Sequence, residues 1–170
     1  MSDLAATDRT IVAEPLDAAA FAPWGDVIDA TGDSFPINGG MCDRFHNQAR
    51  MEFTEGGTAG ISVGYGRPYP LPLNFNLVER HPLGSQAFMP LSEDPFLVVV
   101  APDENGRPGR PRAFITKPGQ GVNYIRNVWH GVLTPLGRPG AFTIVDRVGG
   151  TGNNLEEFRY DAEWTIVPMK

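Results

Sequence analysis

Phe96-Leu97-Val98-Val99-Val100 is apolar on both faces of an extended chain, and with Ala101 it reads as a central strand covered on both sides. Outward from it, strand candidates follow in quick succession: Ile61 to Tyr65, Leu73 to His81, Gln86 to Leu91, Arg112 to Lys117, Val122 to Asn127, Val128 to Leu133, Ala141 to Val148 and Trp164 to Val167. Their regular spacing, with turn residues between, is the pattern of a sandwich or small barrel. With 20 glycines and 16 prolines dispersed along the chain, helices of ordinary length are hard to place. Two short ones are expected, one at Leu16 to Ala22, opened by Pro15 and closed before Pro23 and Gly25, the other at Leu155 to Tyr160.

A chain of 170 residues, 41% hydrophobic and 20% charged, buries one sizeable core, so residues 1–170 are expected to form one domain. The net charge of −6 argues against a nucleic-acid or anionic-membrane surface. The three arginines between Arg107 and Arg112 lie among Pro108, Gly109 and Pro111 and read as a solvated turn. Cys42 is alone, which excludes a disulfide within the chain and suits a reducing cytoplasm. Asp43 beside it disfavours a reactive thiolate. No stretch approaches the roughly 18 apolar residues of a membrane helix.

Two segments break the apolar pattern. Glu79-Arg80-His81 ends one strand candidate, and Asn123-Tyr124-Ile125-Arg126-Asn127-Val128-Trp129-His130 joins two others, so two of the three histidines sit where a β core is normally apolar. Strand alternation puts Leu73, Leu77, Glu79 and His81 on one face and Arg80 on the other. In the second segment it aligns Tyr124, Arg126, Val128 and His130, provided that no irregularity intervenes. Each histidine alone could be one that bonds a backbone group at a strand end. With Glu79, the pair makes either an acid-base set or a two-histidine, one-carboxylate metal face, and spacing does not choose between them.

The stretch from Leu77 to Leu91, LVERHPLGSQAFMPL, and that from Gly121 to His130, GVNYIRNVWH, closely resemble the ureidoglycolate lyase family. The likeness extends from Phe21–Ile28 through Arg44-Phe45-His46 and Leu71-Pro72-Leu73 to Thr143–Arg147, most of the chain. The resemblance implies a cupin-type barrel, a homodimer, and cleavage of ureidoglycolate to glyoxylate and urea in allantoin degradation. Against the wider cupin pattern, Glu79, His81, Gln86 and His130 fall at the ligand positions. A carboxylate thus replaces one imidazole, an amide replaces the carboxylate, and Asn127 stands where cupins usually carry glycine. Glu79, His81 and His130 could still ligate a divalent ion such as the nickel associated with the family. Gln86 is a weak ligand, so a resting protein without a tightly bound metal is expected.

Ureidoglycolate is a carbinolamine. Its collapse needs a base for the hydroxyl proton, an acid for the departing urea and a cation for the carboxylate. His81 and His130 are the expected acid-base pair, in either order, with Glu79 orienting one imidazole. Arg126 is the first candidate for the carboxylate, while Gln86, Tyr124 and Asn123 would bind the ureido group or hydroxyl. Arg44 and His46 form a second constellation, reaching over a barrel mouth, into a neighbouring subunit, or capping a loop. Arg80 is expected to support the opposite face, with Asp146 a conceivable partner. Competing readings are hydrolysis to glyoxylate, ammonia and carbon dioxide, and a non-catalytic cupin holding a small carboxylic acid. Exposed aromatics such as Phe53 and Phe158 would serve the dimer.

Overall fold

The computed structural model describes residues 8–170. Two sheets dominate. The first runs in the order Thr10–Val12, Glu156–Val167, Leu73–Arg80, Trp129–His130, Phe96–Ala101, Arg112–Ile115 and Glu14–Pro15, with Thr134–Pro135 also paired to Phe96–Ala101. Thr10–Val12 and Glu14–Pro15 are separated only by Ala13, so the two ends of this sheet are one segment and the sheet nearly closes into a barrel. The second runs in the order Gly25–Ile28, Gly121–Tyr124, Gln86–Pro90, Gly140–Val148 and Thr58–Gly66. Such a mostly β sandwich closing into a barrel is the cupin-type architecture expected above.

Phe96–Ala101 is the strand on which both cores are built. Phe96, Val98 and Val100 face the second sheet and pack with Phe88, Val122, Tyr124 and Phe142. Leu97 and Val99, on the other face, pack with Ile11, Ala13, Ala113, Leu136, Trp164 and Ile166. Burial of the whole strand explains why its sequence does not alternate.

One α-helical turn is present, Ala18–Phe21, shorter than the Leu16–Ala22 expected. Asp17 caps it by accepting from the Ala20 amide at 2.9 Å, and Phe21 plugs the first core. Gly25 follows because a Cβ there would meet the Asn123 carbonyl at 1.8 Å, so only glycine lets this edge strand pair.

The helix expected at Leu155 to Tyr160 is a correction: Glu156–Val167 is one long strand. Its apolar residues Phe158 and Tyr160 recur every second position and pack, with Val78, around Trp129. Phe158 is therefore covered, and Phe53 is half-buried in a bridge to Gly84. A row of exposed apolar residues is found instead at Ile61, Val63 and Tyr65, 77%, 69% and 70% accessible along the edge strand Thr58–Gly66.

The basic turn is a solvated hairpin, Asp103–Glu104 with Arg107–Pro108, closed by Asn105 and Gly106 at positive φ. No helix among the described residues is long and apolar enough to cross a membrane.

Candidate active site

The strand expected from Val122 to Asn127 ends at Tyr124, and the one expected from Val128 to Leu133 is only Trp129–His130. Between them the chain leaves the second sheet and enters the first. Asn127 makes the crossing at φ 69°, the left-handed conformation that a glycine would supply, and its amide donates to the His81 carbonyl at 2.9 Å. This turn breaks the parity that would align Arg126 and Val128 with His130.

Two rows of side chains result. In the first sheet Glu157, Glu79 and His130 are direct neighbours across three strands. In the second, Asp146, Gln86 and Tyr124 are direct neighbours across three strands. The rows face one another: the Tyr124 ring lies flat on the His130 ring, centroids 4.1 Å apart and planes 6° from parallel. His81, two residues beyond Glu79 on the same face, closes the gap, its ring centroid 5.3 Å from that of His130.

His130 is fully buried, and its Nδ1–H donates to the Gly131 carbonyl at 2.9 Å. A carbonyl only accepts, so the proton of the neutral ring is on Nδ1 and the lone pair on Nε2. Among the described residues that Nε2 has no hydrogen-bond partner. Burial first, and the His81 charge second, lower its pKa from 6.5 to about 3.

Glu79 lies 3.8 Å from His81 Nε2. Burial raises its pKa, His81 partly offsets this, and Glu157 adds to it. Both ring nitrogens of His81 meet oxygen: Nδ1 faces the Asn154 carbonyl at 2.7 Å and Nε2 faces Gln86 Oε1 at 3.2 Å. Burial also raises the pKa of Tyr124, with the Glu79 charge acting in the same direction, which keeps the phenol protonated.

The ligand atoms of Glu79, His81 and His130 lie within 4.8 Å of one another, a spacing that fits one divalent cation. The free Nε2 lone pair of His130 and a Glu79 oxygen would serve directly. His81 Nε2 would have to leave Gln86 Oε1.

Other expected residues lie elsewhere. Asn123 points to the outer face of its sheet and donates to Asp26 Oδ2 at 3.0 Å and to the Arg50 carbonyl at 3.2 Å. Arg126 stands partly exposed at the crossing, 3.4 Å from a Glu52 oxygen. Arg44 is exposed on the hairpin of Phe35–Ile37 with Cys42–Arg44, and His46 lies beside Phe35 at its base.

Arg80 does not pair with Asp146, a correction to the sequence expectation. Arg80 lies over Trp129, 4.3 Å from the ring centroid, and donates to Asp103 and Glu156 at 3.0 and 2.6 Å. Asp146 instead accepts from Gln86 Nε2 at 3.1 Å. Asp146 follows Phe142 and Ile144 on the inward face of its strand. A carboxylate ending an apolar face is the signal that singled out Glu79, and it could have found Asp146 as well.

A buried imidazole with a free lone pair, a second imidazole flanked by oxygens and a carboxylate 3.8 Å from it lie together inside a cupin-type barrel. The profile of the family described as ureidoglycolate lyase matches residues 8–167, and the chain belongs to that family. It is 63% identical over 160 residues to the ureidoglycolate lyase of Chelativorans sp. (strain BNC1), covering 93% of this chain and 96% of that protein. It is 58% identical over 158 residues to that of Mesorhizobium japonicum, covering 92% and 96%, and 55% identical over 149 residues to that of Rhodobacter capsulatus, covering 87% and 92%.

Proposed function

We propose that the chain is a ureidoglycolate lyase of purine catabolism, cleaving ureidoglycolate to glyoxylate and urea by acid-base elimination. The observation that carries the reading is the unpartnered Nε2 lone pair of His130, buried and aimed at the Glu79 and His81 side chains. A buried nitrogen without a partner is costly unless a substrate proton meets it.

His130 Nε2 takes the hydroxyl proton of the carbinolamine. The oxygen electrons form the new carbonyl, the carbon-nitrogen bond breaks toward the urea nitrogen, and an acid in the site returns a proton there. The products balance without added water. Glu79, which burial makes harder to ionise than a solvated glutamate, lies 3.8 Å from His81 Nε2 and orients that ring. Tyr124 fixes the plane of His130 by stacking, and its hydroxyl offers a neutral donor to the substrate. Arg126, released from Glu52, is the candidate for the substrate carboxylate.

A divalent cation held by Glu79, His81 and His130 would supply electrophilic polarisation of the substrate oxygens. The residue chemistry above does not require it. Assay of urea against ammonia separates elimination from the hydrolytic alternative. A homodimer in the cytoplasm accords with the family and with the apolar row Ile61, Val63 and Tyr65 on an edge strand. Light scattering of the purified protein tests the dimer.

A further inference from the structure

Asp146 is a half-buried carboxylate whose surroundings leave most of its accepting capacity unused. Among the described residues its side chain accepts one hydrogen bond, from Gln86 Nε2 at 3.1 Å, and forms no ion pair. Of its two cross-strand neighbours, Gln86 supplies that bond and Gly60, on the other side, has no side chain to offer. An ionised carboxylate has about four lone-pair positions, so the remainder are open to a ligand that brings N–H or O–H groups. Gln86 has less to give: its Oε1 faces His81 Nε2 at 3.2 Å and one of its N–H groups is spent on Asp146. The open acceptor of the inward row is therefore Asp146.

We propose that Asp146 is a specificity-determining residue that accepts the N–H hydrogens of the substrate's ureido group. The identity of the ligand rests on the lyase reading above. The unused accepting capacity of Asp146 does not. A ureido group is planar, and the N–H of its inner nitrogen and one N–H of its terminal NH2 point the same way. They form a parallel pair of donors, like the fork that a guanidinium presents to a carboxylate. An acyl group with methyl in place of the NH2 keeps one donor of the pair and turns the methyl on the carboxylate. Charge orders the rest of the molecule. Asp146 and Glu79 line the interior from opposite sheets, and two carboxylates there turn the substrate's own carboxylate outward, to the rim where Arg126 stands. The neutral, donor-rich ureido end enters between the rows, on the side where His130 Nε2 is free.

The test is titration calorimetry of the full-length chain with two unreactive analogues. N-carbamoylglycine keeps the ureido group and the carboxylate and lacks only the hydroxyl. N-acetylglycine differs from it by a methyl in place of the terminal NH2. The wild type should bind N-carbamoylglycine at least about tenfold more tightly, the factor expected for a hydrogen bond to a charged acceptor. Asp146→Ala should cut that preference to less than about threefold, chiefly by weakening N-carbamoylglycine, and Asp146→Glu, which keeps the carboxylate, should retain part of it. With ureidoglycolate, Asp146→Ala should raise KM about 10- to 100-fold. A residue that only held Gln86 in place would weaken both analogues alike and leave their ratio at the wild-type value. That result, or a wild type without the preference, would overturn the proposal. Should Asp146→Ala not fold by circular dichroism, Asp146→Val serves the same comparisons. If the wild type releases no urea from ureidoglycolate yet prefers N-carbamoylglycine through Asp146, the lyase reading fails and the ureido subsite stands. Turnover together with a preference that Asp146→Ala leaves intact removes the subsite and spares the lyase reading.

Discussion

Tyr124 and His130 lie six residues apart in sequence and in different sheets, yet their rings stack 4.1 Å apart and 6° from parallel. The stack exists because the left-handed Asn127 carries the chain from one sheet to the other between them. It immobilises the one imidazole whose Nε2 is buried and free.

His130→Gln removes the base while leaving a polar side chain of similar reach. Turnover of ureidoglycolate should drop about 10²- to 10⁴-fold, the range for a positioned acid or base. Tyr124→Phe keeps the stack and should cost little, whereas Tyr124→Leu loses it and should lower kcat more than it raises KM. Steady-state urea release checks all three, with circular dichroism as the control for folding.

The buried His130 also gives the fold a pH signature. Its folded pKa, about 3, lies below the ordinary 6.5, so the unfolded chain takes up the proton first as pH falls. The stability it contributes is present above about pH 6.5 and is lost as pH falls from there toward 3, at up to about 1.4 kcal/mol per pH unit. Denaturant titrations across that window should show a shallower slope for His130→Gln than for the wild type. Equal slopes would contradict the buried neutral ring.

Arg126 sits at the rim, 3.4 Å from Glu52. If it binds the substrate carboxylate, Arg126→Gln should raise KM about 10- to 100-fold and lower kcat less, as loss of a charge-assisted contact made in both ground and transition states would do. Glu52→Gln, which frees the guanidinium, should leave KM unchanged or lower it. A KM unaffected by Arg126→Gln assigns the carboxylate to another group.

Arg80 is one residue from the site but faces away from it, between Trp129, Asp103 and Glu156. Arg80→Gln should therefore lower Tm, by an amount reflecting about 1–3 kcal/mol, more than it changes KM. The thermal midpoint and kinetic constants, measured on one preparation, separate the two effects.

The doubly apolar strand at Phe96–Ala101 was legible because covering both faces removes any reason for alternation, and Glu79 with His81 was legible because strand parity needs no tertiary information. Arg126 was not, because one left-handed residue, Asn127, resets parity over the crossing. Asn123 faces outward for the same elementary reason that its neighbour Tyr124 faces inward, which alternation within the strand does show. The strand at Glu156–Val167 was obscured by Glu156, Glu157 and Arg159. These polar residues suit a helix end as well as a sheet face, and packing against Trp129 decides between them.

Elimination by the protein's own acid-base pair fixes both the products and the metal dependence of the reaction. Its most direct test is the simultaneous assay of urea, glyoxylate and ammonia from ureidoglycolate, using chelator-treated wild-type protein and His130→Gln, with spontaneous breakdown subtracted. Elimination should give equimolar urea and glyoxylate, no ammonia, retained turnover after chelation, and loss of the enzymatic rate in the variant. Release of ammonia, or a rate that disappears on chelation and returns only with added divalent metal, would contradict it.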